Sequence, residues 1–494
     1  MKIKKSCSEI RKDIRETWDL LYDVMSLPLL VLMAVSLGFC LVTMYYADMT
    51  VTGPFSVMMW DSLLDGKLFS FYGNCLSSGI APEGAVYDIG LYLVFAVWNF
   101  PVWILNRLAG LGLTSVPSLL WYKILPALFV WMSVNTVREL AKELGAENHA
   151  ASCAGLFFLL SSMTILPVFV TAQYDSIPLY FILKGLLSYL REDEREQKEF
   201  YMWFAVSLIL KPLGILILFL LILLREKNLF HIIADLFRGC WLLILCKVLC
   251  SISPDYRVST GGFLEKHLPD LLQAEIPGGY GAVSIFVLGL AVLYLAAYFY
   301  DGTSKTCIEN RRMAVLFGYG IWAFFCAFGN MTPYWTIYLA PFLVLTMYLG
   351  GEKRKHLLLA DLVGELCLSV ILILKFSWVY GGERTFAYLV LKPLCGRILS
   401  GESAVTVAGA LRSLGAEEYL PVLEGILLAV LLMIAICAYR SIRDMGENEN
   451  ITEPESYVLA GKLRVNVLNC HIGVRVLLIY GWIMMLMMAL KYMV

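Results

Sequence analysis

A short polar stretch, "AQYDS" at residues 172–176, separates two strongly apolar segments. Carboxylates at the edge of a membrane's hydrocarbon are costly enough to indicate function when they face a water-filled cavity. A carboxylate there can act as a general base on a hydroxyl, and others can orient sugar hydroxyls or a metal ion. A structural role is also open, because Asp175 followed by Ser176 and Pro178 has the pattern of a helix N-cap. The two roles are compatible at one residue.

Several acids precede this stretch, between residues 47 and 116. They are Asp48, Asp61, Asp65, Glu83 and Asp88. The charge pattern described below puts this segment on the same side of the membrane as Asp175. We therefore expect acids from both segments to meet at one face.

Two cations are candidates for binding an anion. Lys211, in "LKPLG", lies next to a proline inside an apolar segment, where a lipid phosphate is the obvious partner. The alternative is a lysine whose stem reaches to the interface. Arg257, with Lys247 and Lys375, adds positive charge suited to a phosphate or diphosphate leaving group.

An aromatic turn, "NMTPYWTIY", begins at Asn330 and runs into an apolar helix. Its Trp335 and Tyr338 have faces that can stack on a sugar ring. They are equally typical of the aromatic belt at a membrane interface. The sequence leaves both interpretations open.

The composition indicates the kind of fold that positions these residues. Of 494 residues, 59% are hydrophobic and 16% are charged, with a mean hydropathy of +0.72. Soluble domains have roughly 45–50% apolar residues, so we expect a polytopic, all-α bundle of about 11–13 membrane helices in a single domain, 1–494. The net charge of −1 carries no information about partners, and we expect no nucleic acid among them.

The basic segments set the expected topology. If residues 1–26 form a cytoplasmic N-terminal segment, the positive-inside rule puts most later basic loops on the cytoplasmic side. The large loops 47–116, 254–281 and 379–419 are then external. The first apolar helix is expected to remain as an anchor, because no signal-peptide cleavage pattern follows it.

Two apolar segments fit this topology only as incomplete crossings. The segment 88–106 is interpreted as an interfacial or re-entrant helix within the first external loop. The segment 200–224 is predicted to break at Lys211-Pro212, because proline removes a backbone donor and disfavours helix at the preceding residue. The two halves, about 12 residues each and ~18 Å long, are too short to cross alone.

The order of these features resembles the GT-C superfamily of integral-membrane glycosyltransferases. These enzymes take sugar from a polyprenyl-phosphate carrier, and they include asparagine-linked-glycan glucosyltransferases, GPI mannosyltransferases and bacterial relatives. The resemblance is most specific at "TAQYDSI", where the family typically has Gly-Gln-(Tyr/Phe)-Asp-Ser, and moderate at "LKPLGILI". This chain has Ala172 in place of the glycine, and Asp88 where relatives often have proline.

The resemblance implies a function and a set of roles. It implies an inverting hexosyltransferase whose active site is external, with a polyprenyl-phosphate sugar as donor and a glycan or lipid-linked acceptor, in a bacterial plasma membrane. Asp48 matches the family's base, with Asp61 as competitor. Asp61 and Asp175 are expected to position the sugar or acceptor, with Gln173 as a hydrogen-bond partner. Lys211 and Arg257 are expected to contact the carrier phosphate, and Tyr174, Trp335 and Tyr338 the substrate or donor. No specific cofactor is predicted, and the need for a divalent cation is left open.

Two other classes of function compete with this one. A transporter or flippase of lipid-linked glycans also needs a polar cavity between apolar helices, but it should show inverted repeats with matching broken helices. The sequence shows one such break. A non-catalytic assembly protein would need no convergent external carboxylates.

Overall fold

A computed structural model describes residues 2–43, 48–191, 194–261, 265, 269–279, 281–329, 332–376, 407–444, 457–459, 463–465 and 467–478. Most of the predicted external loop 379–419 lies outside these residues. The described chain is predominantly helical, which confirms the predicted all-α class. Its strands form two short antiparallel pairs, β1 Glu275–Gly278 with β2 Gly281–Ser284 and β3 Tyr457–Leu459 with β4 Leu463–Val465.

The helices are numbered in chain order. The first half of the chain contains α1 Lys2–Val24, α2 Leu27–Thr43, α3 Met49–Leu64, α4 Phe71–Ser77, α5 Ile89–Ala109, α6 Val116–Glu143, α7 Asn148–Leu160, α8 Ser162–Ile165, α9 Ser176–Arg191, α10 Glu194–Leu210, α11 Ile215–Arg225 and α12 Leu229–Cys250. The second half contains α13 Pro254–Tyr256, α14 Ile285–Phe299, α15 Cys307–Phe328, α16 Leu339–Tyr348, α17 Arg354–Lys375, α18 Val407–Ser413, α19 Leu420–Asp444 and α20 Val467–Leu478.

The core is built around α6, α7 and α9. Helix α6 packs against both α7 and α9, α9 packs against α10, and α16 packs against α7 and α15. Nearly every side chain of α7 is buried, because the helix is surrounded on all sides. The segments that lead to Asp175 therefore lie in the buried core of the bundle.

Some of the helices are long and apolar enough to cross a membrane. In the described residues these are α5, α6, α17 and Ala416–Asp444, and a fifth crossing results if the bent pair Asn148–Leu160 and Ser162–Val170 counts as one. Other hydrophobic segments are divided into shorter helices, such as Pro212–Arg225 and Ile285–Phe299. The total of about 11–13 membrane helices expected from hydropathy remains a prediction.

The N-terminal segment is part of the bundle. Helix α1 packs against α6 and α7, and its Asp13 is buried. The Asp13 carboxylate accepts hydrogen bonds from Asn135 Nδ2 (3.0 Å) and Tyr180 OH (2.8 Å) and pairs with Lys184 Nζ at 3.0 Å. The predicted cytoplasmic segment 1–26 thus contributes a buried ion pair that ties α1 to α6 and α9.

Of the predictions for the two segments with ambiguous hydropathy, the structure confirms one and leaves the other untested. Residues 88–106 lie in α5, which has the length and composition of a membrane span, so its interfacial placement remains a prediction. The break at Lys211-Pro212 is confirmed: α10 ends at Leu210, a 3-10 turn follows, and α11 begins at Ile215. Helix α10 is longer than the predicted half, with 17 residues, because it begins in the charged segment at Glu194.

The bundle has two chemically different ends. Helix α9 starts next to Asp175 and finishes at Arg191, which pairs with Glu143 at 2.9 Å. Glu143 also pairs with Arg311 at 3.1 Å, at the start of α15. We call this the basic end. The 16 residues of α9 put it roughly 24 Å along the helix from Asp175.

Candidate functional site

The polar stretch forms because the preceding helix is broken and then closed by an unusual turn. Helix α7 ends at Leu160, and after Ser161 the chain continues at an angle of 53°. A π-helical turn follows, and it ends where the Gln173 N–H donates to the Pro167 carbonyl (2.8 Å) and the Ala172 N–H to that of Val168 (3.0 Å). This resembles a Schellman closure widened by one residue. It stops the helix and frees the side chains of 173–175.

Ala172 has a strained backbone at this closure. Among the described residues it is the one non-glycine residue with a positive φ, at 57°, and it is buried. For an L-residue with a Cβ this left-handed conformation costs about 1–2 kcal/mol. Such strain persists only where surrounding structure enforces it, and it clusters at functional sites.

The first contact of the site joins Asp48 to Gln173. The Gln173 Nε2 donates to Asp48 Oδ2 at 2.7 Å, across 125 residues of sequence. Asp48 directly precedes α3, but its side chain makes no capping hydrogen bond to that helix. The carboxylate is half-buried, whereas Gln173 is fully buried. Gln173 therefore orients a carboxylate that keeps partial access to solvent.

The second contact is a buried group of three residues centred on Asp175. Its Oδ1 accepts from Lys211 Nζ at 2.5 Å and from Tyr338 OH at 2.9 Å. Asp175 is 0% exposed and Lys211 is 8% exposed. The break between α10 and α11 places Lys211 here, because the extended backbone at this residue lets its side chain reach α9.

Aromatic rings enclose the Lys211 ammonium. Its Nζ lies 4.6 Å from the ring centroid of Trp335, 5.4 Å from Tyr174 and 6.0 Å from Tyr334. Cation–π contacts of this kind stabilise a charge that has been removed from water. The negative charge of Asp48 also acts on Lys211, which links the two contacts electrostatically.

Several buried polar atoms at the site have no hydrogen-bond partner among the described residues. They are Asp175 Oδ2, Gln173 Oε1, Tyr174 Oη and Trp335 Nε1. Buried polar atoms are nearly always paired, and leaving one unpaired costs about 1–3 kcal/mol. Two acceptors, one N–H donor and one hydroxyl form a set suited to the hydroxyl groups of a polar ligand.

The structure separates Asp61 from this site. Asp61 lies more than three turns along α3 from Asp48, roughly 20 Å. Its Oδ1 accepts from Trp103 Nε1 at 2.8 Å and pairs with Arg107 at 2.5 Å. Of the two candidates for the base, only Asp48 is in contact with the "AQYDS" stretch.

Arg257 lies next to a different cluster. Its neighbour Tyr256 donates to Asp88 Oδ1 at 2.6 Å, and Lys247 pairs with the same oxygen at 2.8 Å. Burial, together with the hydrogen bond to Asp88, raises the pKa of the Tyr256 phenol, which keeps its proton. Arg257 is exposed, and in the described part of the chain it has no hydrogen bond or ion pair with the Asp48 and Asp175 side chains.

Some contributors were not predicted from sequence. The pairing of Asp88 with Lys247 and Tyr256 joins residues far apart in the chain, and only the charge of Lys247 inside an apolar helix hinted at a partner. Within the described residues, no group of three or more His, Cys, Asp and Glu side chains is arranged to hold a metal ion. Comparison of the chain with protein-family models, curated proteins and solved structures finds no match.

Proposed function

We propose that this protein is a membrane glycosyltransferase that transfers a sugar from a polyprenyl-phosphate donor to a glycan or lipid-linked acceptor. The observation that carries the proposal is the Gln173–Asp48 hydrogen bond, which brings the first long loop to the "AQYDS" stretch. The unpaired polar atoms beside it suit a ligand rich in hydroxyl groups. The expected setting is a multi-pass protein of a bacterial plasma membrane, with this site external and the basic end cytoplasmic.

In the proposed reaction Asp48 is the general base. Its carboxylate takes the proton of an acceptor hydroxyl, and the oxygen attacks the anomeric carbon of the donor sugar. The bond from that carbon to the phosphate oxygen breaks, and the polyprenyl phosphate leaves with the electron pair. Attack opposite the leaving group inverts the anomeric configuration. Gln173 keeps the base oriented, because a base must lie within hydrogen-bond reach of the proton it removes.

The geometry changes the role proposed for Lys211. From sequence, Lys211 is a cation for the carrier phosphate. In the structure its charge is paired with Asp175, so we propose that it holds Asp175 in place against Tyr338. Asp175 then positions the sugar or acceptor through its Oδ2. Arg257, which is exposed, remains the proposed contact for the carrier phosphate.

Incubation of the purified protein with a panel of polyprenyl-phosphate sugars tests this function. Transfer predicts that sugar-linked carrier disappears and free polyprenyl phosphate appears in equal amount. A transporter or flippase would leave every donor chemically intact and would instead move it across a liposome bilayer. If every donor keeps its sugar and one of them crosses the bilayer, the transferase proposal is wrong and the transporter proposal takes its place.

A further inference from the structure

A second group of buried charges lies in helix α17, away from the proposed active site. Asp361 and Glu365 are one turn apart and share a face of the helix. They are 3% and 2% exposed, and α17 is among the helices apolar enough to cross a membrane. Glu365 lies near the middle of its 22 residues, the depth at which a charge is most costly.

Arg475, on α20, pairs with both acids. Its NH1 donates to Glu365 Oε1 at 3.0 Å, and its NH2 donates to Asp361 Oδ2. The guanidinium also lies over the Phe157 ring, 5.0 Å from its centroid. Its side chain is 0% exposed, so the three charged groups are screened from water.

Glu365 also contacts the bend that leads to the "AQYDS" stretch. Ser161 Oγ donates to Glu365 Oε1 at 2.7 Å, and Ser162 Oγ donates to Glu365 Oε2 at 3.3 Å. The Glu365 carboxylate therefore accepts hydrogen bonds from three residues in the described chain. Asp361 accepts from Arg475 alone among the same residues.

The charges of this cluster do not balance if both acids are ionised. Two carboxylates would then face one guanidinium in a site closed to water, and an uncompensated buried charge is strongly unfavourable. Other charged or titratable groups lie on α17 and on elements packed around it. They include His471 one turn before Arg475, Tyr319 whose hydroxyl donates to the Leu431 carbonyl, Arg354 over the Tyr348 ring, Lys375 paired with Glu424, Arg412 bonded to the Leu374 carbonyl, and Tyr439, Arg440, Arg443 and Asp444 at the end of α19. None of these forms an ion pair with Asp361 or Glu365 among the described residues.

We propose that Asp361, Glu365 and Arg475 form an internal proton-binding site, with one proton held on Asp361. Hydrogen bonds to an ionised carboxylate stabilise its charge, so Glu365, with three donors, is the acid that stays ionised. Proton binding converts the Asp361 carboxylate to a neutral carboxyl group and changes the charge of the cluster from −1 to zero. The site takes a proton and needs no other ligand.

Infrared spectroscopy of the full-length protein in lipid nanodiscs tests this proposal at neutral pH. The parent protein should show the carbonyl stretch of a protonated carboxyl group, and heavy water should shift it. Aspartate labelled with a heavy isotope at its side-chain carboxyl carbon should shift the same band, whereas labelled glutamate should not. This assignment needs no substitution, so it does not depend on how variants fold.

Variants then test the charge balance. Asp361→Asn should abolish the band, and Glu365→Gln should also abolish it, because one acid and Arg475 then compensate each other. Asp88→Asn is the matched control, since Asp88 is a buried acid already paired with Lys247, and it should leave the band unchanged. Absence of the band in the parent, a shift with labelled glutamate only, or its persistence in folded Asp361→Asn protein would overturn the proposal.

Discussion

At the scale of the residue, Ala172 is where the sequence and the backbone it adopts conflict most. Its φ of 57° lies in the left-handed region that favours glycine. Replacing a buried alanine by glycine usually destabilises a protein. Because Ala172 is strained, the same replacement there should have the opposite effect.

Ala172→Gly should leave the protein as stable as the parent or stabilise it by up to about 1 kcal/mol, because relief of strain outweighs the added freedom of the unfolded chain. Ala151→Gly, in the buried helix α7, is the matched control and should destabilise by about 1 kcal/mol or more. Thermal midpoints measured in one detergent give the comparison. Equal losses in both variants would show that Ala172 is not strained.

Lys211→Met should destabilise the protein by about 3–5 kcal/mol, because it leaves the Asp175 carboxylate buried without its cation. Adding Asp175→Asn to the same protein should restore part of this loss, since the remaining groups are then neutral. A double-mutant cycle on folded yield and thermal midpoint measures the coupling. Additive effects would mean that the ion pair contributes little and that Lys211 is available for a phosphate.

At the scale of the element, the sequence predicted the positions of helix ends more accurately than it predicted which side chains pair. Proline at position 212 and the polar residues at 172–176 mark the ends of helices through local chemistry, and both are correctly located. The pairing of Lys211 with Asp175, and of Asp88 with Lys247, depends on how distant helices pack. Local propensity contains no information about such contacts, so these partners had to come from the structure.

Gly90 tests whether the packing of α5 on α10 supports the site. A Cβ at this position would lie 2.8 Å from the Ile209 carbonyl oxygen, two residues before Lys211. Gly90→Ala should therefore push the helices apart and cost about 1–3 kcal/mol, with a loss of transfer activity. Gly38→Ala, in α2, meets nothing within 4 Å and should be neutral or slightly stabilising. Unchanged stability and activity in Gly90→Ala would show that this contact is not required.

At the scale of the whole molecule, the described helices have chemically different ends, and the membrane topology stays a prediction. Helices α9 and α16 both start beside the Asp175 group and run toward basic segments at the other end. The sequence predicted an all-α membrane bundle because its apolar stretches, of roughly 20 residues, have the length of helices that cross the hydrocarbon. The number of crossings is harder to obtain, since breaks such as the one at Ser161 divide one hydrophobic run into two helices.

Cysteine labelling tests the orientation of the bundle. In a background without the native cysteines, Lys67→Cys should react with an impermeant thiol reagent added to intact cells. Gln197→Cys and Lys353→Cys should react only after the membrane is permeabilised, because the positive-inside rule puts both in the cytoplasm. Reaction at position 197 in intact cells would reverse the proposed orientation.

The central claim is that Asp48 is the general base of a sugar transfer, and the pair Asp48→Asn and Asp61→Asn tests it most directly. The two substitutions are chemically identical and lie at opposite ends of α3. On a donor that the parent protein uses, Asp48→Asn should keep donor binding but lower the turnover rate by roughly 10²- to 10⁴-fold. Asp61→Asn should retain most of the activity. Full turnover in folded Asp48→Asn protein would contradict the account.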